Sequence, residues 1–240
     1  METKSTYQGP PAQKIRTMFS SIAEKYDVGN DVLSLGIHHQ WRKQLVKLSQ
    51  AKVGDSVLDC ATGTGDLAIE FKKAVGPSGK VIGTDFCAEM LEFAPAKAAK
   101  LNLDIIFEIA DVMNLQYSDS TFDFASISFG IRNVENPQQG IRELHRILKS
   151  TGKLLVLEFG QPKAPIISNL YRFYSKKILP KIGGWISGKS SAYEYLEKSS
   201  GKFPSGNDFI KMLSDSAQWK SIKAYPLQMG IAYIYIAEKT

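Results

Sequence analysis

The chain has 240 residues, 43% of them hydrophobic, two cysteines and a formal net charge of +6. That length and apolar content suit one α/β domain with a full core and exclude a disordered or fibrous chain. Cys60 and Cys87 both sit in apolar surroundings, which excludes a disulfide scaffold and suggests reduced thiols, and no apolar run reaches the ~18 residues of a spanning helix.

In chain order, residues 1–14 read as a tail, disordered over 1–11, and 15–50 as a broken helical cap with a turn near Asp27-Val28-Gly29-Asn30. Glu2, Lys4 and Gly9-Pro10-Pro11 provide no signal-peptide core, so a cytoplasmic location is expected. Across 51–160 strand and helix alternate. Strands are expected at 56–60, 80–84, 104–109, 122–129 and 152–159, and helices at 65–75, 88–100 and 137–149. This alternation predicts a parallel sheet covered by helices on both faces. Residues 161–205 read as a helical insertion facing substrate or membrane, with helices at 165–180 and 192–199. Residues 206–240 hold a helix at 206–217 and then a hairpin formed by 219–225 and 230–239, so one strand should run antiparallel.

The charge is uneven. Between Phe159 and Tyr193 there are six basic residues (Lys163, Arg172, Lys176, Lys177, Lys181, Lys189) and no acid, while the rest of the chain is about neutral. Apolar residues such as Ile166, Tyr171, Phe173 and Trp185 are interleaved with them. This mixture fits transient contact with an anionic membrane surface, or the wall of a substrate pocket with solubilising lysines.

The most informative run is Leu58-Asp59-Cys60-Ala61-Thr62-Gly63-Thr64-Gly65-Asp66, which lies between a strand and a helix. Gly63 and Gly65 let a ligand approach the main chain, and Asp85 ends the next strand about 20 residues later, the spacing that puts a carboxylate on ribose hydroxyls. The loop matches neither G-x-G-x-x-G nor the phosphate-binding G-x-x-x-x-G-K-[ST]. Asp59 and Asp66, one on either side of the glycines, would repel phosphates but suit a ligand with a sulfonium and an amine. S-adenosylmethionine is such a ligand. Met90 could lie against adenine, and Asp111 with the Val112 N–H could read its amine and ring nitrogen.

The fourth strand ends Ser128-Phe129-Gly130-Ile131-Arg132-Asn133-Val134, bordering the crevice where doubly wound sheets hold ligands. Arg132 and Asn133 would project over the bound donor, since burying such a pair without partners is costly. At the front, Tyr26-Asp27, Asn30 and His38-His39-Gln40-Trp41-Arg42 could cap the crevice. The adjacent His38 and His39 are expected to point apart, and with no Cys or third His beside them no metal site is expected. His145 is expected on the surface. No G-x-S-x-G, H-E-x-x-H or Asn/Asp-Pro-Pro-aromatic turn occurs, and no arginine-rich strand interleaves aromatics, so nucleic acid is not expected as a partner.

Phe19-x-x-Ile22-Ala23-x-x-Tyr26-Asp27-x-x-Asn30, His38-x-x-Trp41-Arg42, the glycine loop, Phe129-Gly130-Ile131-Arg132-Asn133-Val134, Leu157-Glu158-Phe159 and Tyr193-x-Tyr195-Leu196 follow one another in that order. With these motifs, residues 15–239 resemble the ubiquinone/menaquinone biosynthesis C-methyltransferase family, of the demethylmenaquinone methyltransferase type. The resemblance implies a class I S-adenosylmethionine-dependent fold, Rossmann-like, with a seven-stranded, mostly parallel sheet and a terminal antiparallel hairpin strand. It also implies that Thr64, Asp85, Asp111, Val112 and Ser128 line the cofactor site and that the substrate is a polyprenylated quinol. Gln116, Ser150-Thr151, Trp219 and Tyr235 depart from the family's usual residues, and a His often stands where this chain has Tyr235.

The expected reaction is methyl transfer to a ring carbon of a demethylmenaquinol or polyprenyl benzoquinol. In that scheme Arg132 stabilises the developing oxyanion, Asn133 and Tyr26 orient it, and a water or Asp66 takes the proton. The alternatives are an O- or N-methyltransferase of another small molecule and a non-catalytic binder of S-adenosylmethionine. A homodimer is left open, as is peripheral residence at the inner face of a membrane.

Overall fold

Val57 and Leu58 are neighbours in β1 (Ser56–Cys60), and both are wholly buried. In a sheet covered on both sides, successive side chains enter opposite layers. Val57 packs with Trp41, Leu45 and Phe71 in one layer. Leu58 packs with Ile141, Leu144 and Phe209 in the other.

The structure is a computed structural model that describes residues 7–162, 165, 168, 169, 174 and 190–240. Beside β1 its strands are β2 (Lys80–Asp85), β3 (Ile106–Ile109), β4 (Phe122–Ser128), β5 (Leu148–Phe159), β6 (Trp219–Leu227) and β7 (Ala232–Lys239). The sheet order is β3-β2-β1-β4-β5-β7-β6. Neighbours from β3 to β5 pair in parallel, with Leu58 opposite Ile82 on one side and Ala125 on the other. β7 is antiparallel to both β5 and β6. The expected fold class is therefore observed, and the order of strands reverses between β1 and β4. Ligands enter such sheets at that switch point, at the carboxyl ends of the strands.

The helices are α1 (Ala12–Ser20), α2 (Tyr26–Ser34), α3 (Ile37–Ser49), α4 (Asp66–Val75), α5 (Ala88–Leu91), α6 (Ala94–Lys100), α7 (Pro137–Ile147), α8 (Ser190–Lys202) and α9 (Asn207–Ser216). Four differences from the sequence expectations have physical causes. The helix expected over 88–100 is two helices, because Pro95 sits in the first turn of α6 and has no N–H to continue a preceding ladder. The turn expected near Asp27–Asn30 lies inside α2, and the reversal comes later, where Leu35 and Gly36 are both left-handed. β5 begins at Leu148, earlier than expected, and bends through Thr151 at φ 65°. The tail expected through residue 14 is held from Tyr7 onward. Gly9 donates to the Glu135 carbonyl at 2.9 Å, and a Cβ there would lie 2.0 Å from the Val134 oxygen, so only glycine permits this approach.

The expected helix over 165–180 and the six basic residues between Phe159 and Tyr193 lie outside the described residues, except at 165, 168, 169 and 174.

Candidate active site

Two clefts open at the carboxyl ends of the strands. The first, of about 740 Å³, runs over the ends of β1, β2 and β4. The second, of about 1350 Å³, lies between α2, α3 and α8 and is largely apolar. Phe19, Tyr26 and Phe129 belong to the walls of both, so three aromatic rings stand where the clefts meet.

The first cleft collects most of the residues expected to hold the cofactor. Gly63, Asp85, Met90, Asp111, Val112 and Ser128 all line it. Asp85 is buried at the end of β2; its Oδ2 accepts the Gly63 N–H at 2.8 Å and its Oδ1 the Cys87 N–H at 2.9 Å. Burial pushes its carboxyl above the usual range, against the pull of those N–H groups. A carboxylate has about four acceptor positions, so two remain for ribose hydroxyls. Asp111 Oδ1 accepts the Met113 N–H at 2.8 Å, which fixes the loop that carries Val112. The Ser128 hydroxyl is buried with no hydrogen-bond partner, an orphan on the cleft wall that a polar ligand group would satisfy. A carboxylate with spare acceptor capacity, an apolar Met90 wall and an unpaired hydroxyl together fit a nucleoside bearing a cationic chain.

The other loop residues play supporting parts. Asp59 lies beneath the loop, accepting from Thr62 and Ser126 at 2.6 Å each, and burial pushes its carboxyl up to about 6. Gly65 is left-handed at φ 84°, and a Cβ there would come within 2.9 Å of the Ala94 side chain; its role is packing α4 against α6. The Thr64 hydroxyl donates to Asp27 at 2.7 Å and takes a bond from Lys97 at 3.1 Å, so it faces α2 and not the first cleft.

Asp66, an expected proton acceptor, lies on neither cleft. Its carboxylate is bonded by Lys97 and lies 2.9 Å from Arg42 Nη1, an ion pair set off the angle of a hydrogen bond. Burial raises its pKa, but Arg42 and Lys97 outweigh that and hold the carboxyl below its ordinary value. A carboxylate so stabilised is a poor base.

Arg132 and Asn133 form a 3-10 turn directly after β4. Arg132 lines the second cleft and Asn133 the first. Both reach back to the strand end: Arg132 Nη1 donates to the Phe129 carbonyl at 2.6 Å and Asn133 Nδ2 at 3.3 Å. Phe129 adopts φ 54°, a left-handed backbone that costs an aromatic residue about 1–2 kcal/mol. Those two donors, with the Phe129 N–H to the Leu157 carbonyl at 2.7 Å, offset that strain and fix the ring between the clefts. Arg132 Nη1 also pairs with Glu158 at 2.7 Å, and both residues are buried. Arg132 is thus neutralised in part by a partner that the sequence did not assign to it. Its Nε remains buried and without a partner. The Tyr195 hydroxyl donates to Asn133 Oδ1 at 2.8 Å. Burial raises the Tyr26 phenol, so it stays protonated at neutral pH.

Contrary to expectation, His38 and His39 converge. Their ring centres lie 4.0 Å apart with the planes tilted by 36°, and Asp31 Oδ1 lies 3.5 Å from His38 Nε2 and 2.6 Å from His39 Nε2. His38 is buried on the second cleft wall, with Nδ1 bonded to Ser34. Burial and then the positive Arg42 push its pKa down to about 4, so the ring is neutral at pH 7. The half-buried His145 contacts Trp219 and the Gln218 carbonyl, and Tyr235 accepts the Gly206 N–H; both lie away from the clefts.

Sequence reasoning missed Phe19 as a shared wall, Phe129 as the fixed ring, and Glu158 and Tyr195 as partners of the Arg132-Asn133 pair. Each stands in a motif quoted above, but its role depends on long-range contacts that spacing does not encode.

A model of the ubiE/COQ5 methyltransferase family matches residues 8–239. The ubiquinone/menaquinone biosynthesis C-methyltransferase UbiE of Bdellovibrio bacteriovorus is 58% identical over 226 residues, covering 94% of this chain and 96% of that protein. UbiE of a Geobacter species is 42% identical over 229 residues, covering 95% and 97%. Among solved structures, an S-adenosylmethionine-dependent methyltransferase from Thermotoga maritima superposes with a TM-score of 0.65 at 18% identity, covering 94% of this chain and 100% of that one. Another from Aquifex aeolicus gives 0.58 at 19%, covering 96% and 100%. These two likenesses are of fold.

Proposed function

The chain belongs to the ubiE/COQ5 methyltransferase family, and from that premise we propose how its two clefts divide the work of C-methylating a polyprenylated quinol. It is an S-adenosylmethionine-dependent C-methyltransferase of menaquinone or ubiquinone biosynthesis. S-adenosylmethionine supplies an electrophilic methyl on a sulfonium. Asp85, Met90, Asp111, Val112 and Ser128 in the first cleft are the residues to hold it. Asp59, Gly65 and Thr64 shape the loop from behind.

The second cleft suits a quinol ring with an apolar tail. A ring carbon becomes nucleophilic when the adjacent oxygen is a phenolate. Phenols titrate near pKa 10, so holding the anion at pH 7 needs about 4 kcal/mol of differential stabilisation. The orphaned Nε–H of Arg132 is the donor for that oxygen in a dry, low-dielectric wall. Glu158 takes part of the Arg132 charge and, in exchange, locks the guanidinium in place. Asn133 and Tyr195 fix the neighbouring turn, and Tyr26 and Phe129 align the two ligands across the shared wall. Asp66 lies on neither cleft, and His38, on the second cleft wall, has its pKa pushed down to about 4 and is no stronger a base than a carboxylate, so the proton passes to water.

Membrane contact belongs to the same proposal. Among the described residues no helix is long and apolar enough to cross a membrane. A polyprenyl substrate resides in a bilayer, so the enzyme meets it at the surface.

The observation that carries this proposal is the shared wall of Phe19, Tyr26 and Phe129 between a nucleoside-fitting cleft and a larger apolar one. The test is to incubate purified protein and S-adenosylmethionine with short-chain naphthoquinols and benzoquinols and follow S-adenosylhomocysteine release. Release that depends on either quinol supports the proposal; release with neither rejects it.

A further inference from the structure

Asp31, His38 and His39 each offer one ligand atom, and the three atoms lie within 4.8 Å of one another. Asp31 stands near the end of α2 and the two histidines in the first turn of α3, across the left-handed pair Leu35-Gly36. Successive residues on a helix point about 100° apart, so neighbouring rings ordinarily diverge. Here both Nε2 atoms face one oxygen, Asp31 Oδ1, at 3.5 Å and 2.6 Å. Ser34, at the end of α2, bonds His38 Nδ1 and so turns the other ring nitrogen towards Asp31. A surface hydrogen bond accounts for the contact of His39 with Asp31, both about half exposed. It does not account for His38, which is 5% exposed. Its Nε2 lies beyond the 2.7–3.2 Å range of a hydrogen bond to Asp31 and has no other partner among the described residues. A buried ring nitrogen thus points at a carboxylate without bonding it.

We infer that Asp31, His38 and His39 bind a divalent transition-metal ion of the zinc type, which ties α2 to α3 at the wall of the second cleft. The donor set selects the ion. Two imidazoles and one carboxylate suit zinc, whereas magnesium and calcium take oxygen ligands. Tetrahedral ligands at zinc distances stand roughly 3.3–3.6 Å apart. His38 and Asp31 already meet that spacing. His39 and Asp31 must open by roughly 0.8 Å, a small side-chain rotation for two half-exposed groups. Ser34 is the outer partner that orients a ligating histidine through its second nitrogen. Three protein ligands leave the fourth position to water, and the exposed side of the cluster gives the ion its way in. Asn30, Leu33 and Ser34 of α2 and Ile37 and Trp41 of α3 line the second cleft, so a bond across the turn holds two walls of that cleft together. The site stands whatever fills the cleft.

The test uses the untagged full chain, stripped of metal with a chelator, dialysed and titrated with zinc chloride by calorimetry. Wild type should bind one zinc ion per chain with a micromolar or tighter Kd and give no heat with magnesium. Cobalt in place of zinc should give the visible absorption of a four-coordinate site. Zinc at about 100 times its Kd should raise the melting temperature by roughly 5–10 °C. His39→Gln and Asp31→Asn each remove one ligand from the exposed side. Without metal both should melt within about 4 °C of wild type, since a surface pair contributes little. With zinc, both should bind at least tenfold more weakly and lose the cobalt absorption and the melting shift. No zinc binding by wild type overturns the inference. So do the same Kd and the same melting shift in wild type and both variants, since zinc would then be held elsewhere.

Discussion

Arg132 Nη1 meets Glu158 Oε1 at 2.7 Å and, from the same nitrogen, donates to the Phe129 carbonyl at 2.6 Å. One guanidinium thus joins a buried carboxylate on β5 to the strained end of β4. The Arg132 guanidinium also lies over the Phe159 ring, 5.3 Å from its centre. The pair acts as a brace for the ring between the clefts, with Nε left for the substrate.

Glu158→Gln removes the counterion and leaves the Arg132 charge buried. Breaking one side of such a pair costs about 3–5 kcal/mol. Urea denaturation should show a loss of that order, whereas a loss under about 1 kcal/mol would mean that solvent already reaches the pair.

Arg132→Lys keeps the charge but lacks the planar fork, so it cannot bond Glu158, Phe129 and a phenolate together. Turnover at saturating quinol should fall by at least tenfold while S-adenosylmethionine affinity stays within about threefold, as read by steady-state kinetics and calorimetry. A wild-type kcat in this variant removes Arg132 from catalysis.

Asp85→Ala should weaken S-adenosylmethionine binding by about 1.5–3 kcal/mol, roughly 10- to 150-fold, because charge-assisted bonds are lost. Asp66→Asn, on the far side of the loop, should change that affinity little and lower the melting temperature instead, since Arg42 and Lys97 lose their partner. Calorimetry on the two variants separates them; equal effects on binding would put Asp66 back at the cofactor.

This contrast also marks how far the sequence was legible. Asp85 was readable because strand, glycine loop and strand end follow one another locally, and the alternation of strand and helix segments across 51–160 made the parallel sheet readable too. Asp66 satisfied the same local pattern, yet its partners are Arg42 and Lys97, 24 residues before it and 31 after it in the chain. No spacing rule encodes that. The hairpin was visible from alternation in β7; the helix split at Pro95 is a local effect of its missing N–H that the reading overlooked, whereas Gly9 anchoring the N-terminal segment depends on packing against Val134 and Glu135 far along the chain.

Stability should depend on pH in two opposing ways. His38 titrates near 4 in the fold against an ordinary 6.5, so the unfolded chain binds more protons between those values. Its contribution is fully present above about 6.5 and is lost as pH falls towards 4. Asp59 titrates near 6 against an ordinary 3.8, so the folded chain binds more protons there, and its contribution is lost as pH rises through that window. Melting temperatures from pH 4 to 7 should therefore fall less steeply on acidification in His38→Gln than in wild type, and more steeply in Asp59→Asn. Parallel curves for all three proteins would contradict both assignments.

The most direct measurement of the central claim is where the methyl goes. Purified protein, S-adenosylmethionine carrying a carbon-13 methyl and a short-chain quinol should yield a product whose labelled methyl correlates with ring carbons in two-dimensional NMR, with both hydroxyls retained. A labelled methyl ether, or no label transferred from bound S-adenosylmethionine, would contradict C-methylation across the Phe19, Tyr26 and Phe129 wall.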